Sequence, residues 1–188
     1  MHGQVIDNLD AAGAFLAKQS GQPLRMYSTR DFGREKYPEA RSVLVDPSRA
    51  MDLVKQMRSR LGPGLVAFVG TERSLASPSV EGTEVVVGKG SSQFDILRIA
   101  ATDAINYGMA TEDLVARLRQ WDAAYGIDIY KASTDSIELR LKTLPPDLHA
   151  FAVQLYGFCP DIVDQGVGTV DRLEEYVRQT HTISLWWD

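Results

Sequence analysis

Residues 127–142 read IDIYKASTDSIELRLK. Their second half, Ser136–Lys142, alternates without a break: Ile137, Leu139 and Leu141 fall on one face, Glu138, Arg140 and Lys142 on the other. Side chains leave a strand with a period of two, so this is the pattern of a strand buried on one face. Ile127–Lys131 reads as a second strand, and the spacer Ala132–Asp135 suits a hairpin between the two. Upstream, Leu114, Leu118, Trp121 and Tyr125 recur at helical spacing, with Thr111 expected to cap that helix and Gly126 to end it. Downstream, Pro145-Pro146 opens a helix carrying Leu148, Phe151, Ala152 and Leu155. Thr169 caps another that carries Val170, Leu173 and Val177, and Ile183–Trp187 is the last strand.

Phe94–Ile99 is mostly apolar on both faces and is expected to be a central strand. Residues 94–188 then run β-α-β-β-α-α-β. With the two consecutive helices taken as one crossover, this is a ferredoxin-like split βαβ sheet with helices on one face. The expected fold class is therefore α+β, with that sheet preceded by a smaller α/β N-terminal lobe.

The N-terminal half is patterned more weakly. A helix is expected over residues 7–19, a short strand around Leu24–Tyr27, a polar loop from Arg30 to Arg41, and a brief strand at Ser42–Val45. Asp46 reads as an N-cap and Pro47 as the first residue of a helix bearing Met51, Val54, Met57 and Leu61, stopped by Gly62-Pro63-Gly64. Leu65–Val69 is a buried strand, 71–83 a loop, and Glu84–Val87 a strand. Gly88-Lys89-Gly90-Ser91-Ser92 is the best linker candidate. The expected organisation is an N-terminal lobe over 1–90 and a C-terminal domain over 94–188; the lobe stands alone or extends the same sheet.

The chain has 188 residues, 44% apolar and 24% charged, which suits a globular protein and excludes disordered or collagen-like classes. One cysteine excludes an internal disulfide and a cysteine-rich zinc site. The start of the chain lacks the charge-then-apolar pattern of a secretory signal, and no apolar run approaches the roughly 20 residues that span a bilayer. A cytoplasmic protein with no membrane partner is expected. The net charge of −5 disfavours a general nucleic-acid binder. That charge is unevenly spread: residues 1–93 hold 12 Lys+Arg against 10 Asp+Glu, while residues 94–188 hold 8 against 15. From Asp147 onward there are seven acids and two bases.

None of the three histidines, His2, His149 and His181, lies at metal-ligand spacing from another, so no metal is expected. Cys159 sits in Phe158-Cys159-Pro160-Asp161. Neighbouring acids raise rather than lower a thiol pKa, and the residue reads as a small buried hydrophobe. Gly166-Val167-Gly168-Thr169 reads as a loop ending in an N-cap. The Gly88–Ser92 segment lacks phosphate-loop spacing, so no cofactor is expected either. Asp161, Asp164, Asp171, Glu174 and Glu175 gather on neighbouring segments and suit an acidic face for a basic partner. Of Trp186 and Trp187, which point to opposite faces of the last strand, Trp186 is the candidate partner anchor. The basic loop with Arg25, Arg30, Arg34, Lys36 and Arg41 is a secondary contact candidate.

Several segments are recognisable together: Phe94-Asp95-Ile96-Leu97, Asn106-Tyr107-Gly108, Leu118–Tyr125 with Trp121 and Asp122, Phe158–Val163, Gln165-Gly166-Val167-Gly168, and the closing Leu185-Trp186-Trp187-Asp188. Through them residues 94–188 resemble a bacterial family catalogued as domain of unknown function 4253, with Cys-Pro-Asp and Leu-Trp-Trp-Asp the specific parts. The resemblance implies a small soluble bacterial protein and no known reaction. By analogy with small acidic bacterial proteins, the expected function is protein binding, as an immunity protein that neutralises a cognate secreted toxin, for instance a nuclease. No catalytic residue is assigned under that reading. The alternative is an enzyme or small-ligand protein with a site near Cys159 and Asp161, using His149 or His181.

Overall fold

The elements begin where local chemistry dictates. Asn8 accepts the amide of Ala11 and starts α1 (Leu9–Ser20), which ends at Gly21 with φ +70°. The Asp46 carboxylate accepts the Ser48 amide and Pro47 leads α2 (Pro47–Arg58), so the predicted cap and first helical residue are both in place. The computed structural model describes residues 5–28, 36–72 and 81–188. His2, Arg30, Arg34 and the middle of the predicted 71–83 loop lie outside the described residues. The protein is α+β and divides into two units: residues 1–101 with 130–134, and residues 102–129 with 135–188.

In the first unit, β1 (Arg25–Ser28) pairs antiparallel with β2 (Lys36–Val45), β2 with β4 (Thr83–Lys89), and β4 with β3 (Leu65–Val69). Val69 of β3 also pairs in parallel with Lys131. Val43, Val45, Ala67, Val69, Val85 and Val87 supply one face. They are buried with Leu9, Ala12 and Leu16 of α1 and with Ala50, Leu53, Val54 and Met57 of α2. On the other side of β4, Glu84 is buried and accepts the Ser42 hydroxyl at 3.0 Å. Lys131 reaches Glu72 at 2.7 Å.

Two expectations for this unit are corrected. Residues 36–41 belong to β2 and not to a loop. Pro38 sits where the β1–β2 register shifts between Met26 and Ser28, a place where a strand tolerates proline. The predicted strand Phe94–Ile99 is instead helix α3 (Asp95–Ala100). A short apolar run cannot by itself distinguish helix from strand. Here Asp95 settles it: its carboxylate accepts the amides of Ser91 (2.8 Å) and Ser92 (3.0 Å) and pairs one turn on with Arg98 (2.7 Å). The order from residue 94 onward therefore lacks the opening strand that a split βαβ arrangement requires. Gly88 and Lys89 end β4, and an added Cβ on Gly88 would lie 2.8 Å from Ile99.

The second unit starts with a 3₁₀ turn, Ile105–Tyr107, closed by Gly108 at φ +70°. Helix α4 (Thr111–Tyr125) follows. Ala110 rather than Thr111 is its N-cap, and the Asp113 carboxylate accepts the Ala110 amide at 2.9 Å. Strand β5 (Ile127–Ala132) has its first three residues in this unit, and β6 (Ser136–Leu141) pairs antiparallel with β7 (Thr182–Trp186) in the register Ile137↔Leu185 and Leu139↔Ile183. Ile137, Leu139 and Leu141 are buried as their alternation requires. Between β6 and β7 lie α5 (Leu148–Phe158), a π-helical turn (Ile162–Val167) and α6 (Val170–Thr180). The Thr169 hydroxyl caps α6 at the Arg172 amide. Trp121 stands edge-on to Phe151 and Phe158, and Phe158 edge-on to Trp187, at centroid distances of 5.4 to 5.5 Å. No helix among the described residues is long and apolar enough to cross a membrane.

Candidate functional site

Helix α5 ends at Cys159, whose amide still donates to the Leu155 carbonyl at 2.8 Å, and Pro160 stops it from continuing. The next residue, Asp161, is 5% exposed. Its carboxylate accepts three hydrogen bonds: Tyr107 hydroxyl at 2.9 Å, Gln165 amide at 3.0 Å and the backbone N–H of Asp188 at 3.0 Å. The Asp188 amide is the main influence holding this carboxyl below the usual range. Burial opposes it, and Tyr107 and Gln165 add to the lowering. The same bond holds the Tyr107 phenol above its ordinary value.

Two more bonds join the same segments. The Cys159 thiol donates to the Trp186 carbonyl at 2.9 Å, and the Trp187 indole N–H donates to the Phe158 carbonyl at 3.2 Å. Residues 158, 159 and 161 are thus fastened to 187, 186 and 188. Cys159 is fully buried, and burial pushes its thiol up to about 11. It is a protonated donor at neutral pH, without the thiolate that nucleophilic chemistry needs. His149 is turned toward Glu174, with Nδ1 at 3.0 Å, and His181 is the C-cap of α6 in a left-handed conformation at φ +57°. Nothing in this arrangement activates the thiol.

The residues nominated from the sequence fall into two groups. Asp161 and Trp186 belong to the interior fastening: Asp161 is filled by its donors, and half-buried Trp186 lies against Gly166, where an added Cβ would sit 2.7 Å from the indole. The other four face outward from the π turn and α6. Asp164 is exposed and accepts the Tyr156 hydroxyl at 3.0 Å. Asp171 has 88% of its side chain exposed. Glu174 is more enclosed and bridges His149 and Arg178. Glu175 is exposed, 3.7 Å from the Arg178 guanidinium. Among the described residues, His149, Asp171 and Glu174 are the one trio whose possible ligand atoms come within 4.8 Å of one another. Arg178 already neutralises Glu174 there.

Sequence reasoning missed the convergence on Asp161. Tyr107, Gln165 and Asp188 come from three separate segments, and only their common occurrence among the recognisable stretches hinted that they meet. The model of a domain of unknown function, DUF4253, matches residues 84–188, and the chain belongs to that family. The match begins at Glu84 in β4, ten residues before the resemblance read from the sequence. No curated protein and no solved structure matches the sequence.

Proposed function

We propose that this protein works by binding another protein, as a bacterial immunity protein neutralising a cognate secreted toxin by stoichiometric association. The observation that carries the reading is the outward presentation of Asp164, Asp171 and Glu175 by two consecutive segments, on a stretch whose seven acids face only two bases. The Asp161 fastening anchors the π turn that carries Asp164, so that carboxylate is presented from an ordered backbone. Such a face suits a basic partner, for which acidic side chains raise the association rate more than the final affinity. A nuclease, basic because it engages phosphates, has the matching chemistry.

The test is affinity capture from the source bacterium with the wild-type chain and with the triple variant Asp164→Lys, Asp171→Lys, Glu175→Lys. A basic protein retained by the wild type and lost or slowed with the variant supports the reading, and its association rate should fall steeply with salt. Equal retention by both proteins removes this face from the interface.

A further inference from the structure

A groove of about 460 Å³ opens on the second unit between the 3₁₀ turn, α4 and α5. Its walls are Tyr107, Met109, Arg117, Gln154, Gly157 and Phe158. This volume lies within the range of small-molecule sites, which are mostly apolar with few placed polar groups. Arg117 is half-buried, and its guanidinium lies over the Phe158 ring, 5.5 Å from the centroid. Among the described residues no carboxylate pairs with it. Asp113, one turn earlier, caps α4, and Asp161, bonded to Tyr107, is filled by its three donors. A guanidinium held over a ring by a cation–π contact keeps its N–H donors for a carboxylate.

Gly157 makes up part of the wall. It lies inside α5, is exposed, and a Cβ there would meet nothing within 4 Å. Packing does not require glycine at this position. Its effect is to leave room in the groove that Arg117 and Gln154 also line.

We infer that this groove binds a small planar organic monocarboxylate. Arg117 takes the carboxylate through paired N–H donors, and the apolar body lies against Met109 and the Tyr107 ring. One cation selects one negative charge, which favours a carboxylate over a phosphate. The site goes beyond the acidic face proposed above and uses none of its residues.

The experiment titrates the full ¹⁵N-labelled chain with benzoate, 2-naphthoate, benzyl alcohol and inorganic phosphate, reading amide shifts and the Arg117 Nε–H signal. Binding by the two carboxylates, with shifts centred on Arg117 and Gly157, is expected. Arg117→Met should weaken it by about tenfold or more, as loss of a charge-assisted pair does. Gly157→Leu should block it while circular dichroism stays unchanged, and Asp171→Lys should leave it intact. If Arg117→Met fails to fold, Arg117→Lys serves, since it keeps the charge and loses the fork. Binding of benzyl alcohol as tightly as benzoate, preference for phosphate, unchanged affinity in the folded Arg117 variant, or no shifts at saturating benzoate would each overturn the assignment.

Discussion

The backbone N–H of Asp188 donates to the carboxylate of Asp161 across 3.0 Å, joining residues 27 positions apart in sequence. Tyr107 and Gln165 donate to the same group, so one buried side chain ties the 3₁₀ turn, the π turn and the end of β7 together. A carboxylate of this kind is costly to lose because hydrogen bonds to a charged acceptor are stronger than neutral ones.

Replacing Asp161 with alanine is expected to cost about 1–2 kcal/mol of stability, because three hydrogen bonds to a charged acceptor are lost while the exposed donors Tyr107, Gln165 and Asp188 turn to water. Urea unfolding measures it. Asp161→Asn keeps one acceptor oxygen and should cost less.

The pH dependence follows from the direction of the shift. Asp161 is held below its ordinary value in the fold, so its contribution is complete above about pH 4, the unfolded range. It is lost as pH falls through the lower folded value. Unfolding free energies from pH 7 to pH 2 should therefore fall less steeply for Asp161→Asn than for the wild type.

Cys159 has the opposite sign. Its thiol is raised to about 11 in the fold, so the unfolded chain releases its proton first as pH rises. Stability should decline between the ordinary thiol value of about 8.5 and about 11, and Cys159→Ala should lessen that decline, most clearly below about pH 10 where the phenols are still protonated. Native protein should react with a thiol reagent only as fast as it opens, and fully on addition of denaturant.

Gly166→Ala places a Cβ 2.7 Å from the Trp186 ring and must push the indole outward. A loss of about 1–3 kcal/mol is expected from such overpacking, with a red shift in tryptophan emission. Gly157→Ala is the counterpart. With open space at the new Cβ and a position in the last turn of α5, it should stabilise the protein by up to about 0.5 kcal/mol, read as a higher Tm.

What the sequence made legible was local. Ile137, Leu139 and Leu141 declare β6 by alternation, Asp46-Pro47 declares the start of α2, and Thr169 that of α6, because each signal acts within one turn or one strand. Helix α3 was misread because Ile96, Leu97 and Ile99 suit either a strand or a helix; the deciding Asp95–Arg98 pair is a weaker mark than the four apolar residues of Phe94–Ile99. The start of β2 was hidden by Pro38, whose tolerance depends on a register shift that only the partner strand creates. Asp161 read as one of several surface acids. Its burial comes from donors on segments far apart in sequence, which local spacing cannot report.

The first unit is not contiguous: it takes residues 130–134 after the chain has left it at Ala101. During synthesis, then, a ribosome delivers most of this unit while the outer edge of β3 still waits for Lys131 to pair with Val69. Until α4 and β5 have emerged, that edge is an open template for pairing with another nascent chain. A fragment cut at Ala101 would make this interim state permanent, and any expression of the first unit by itself has to carry that exposed strand.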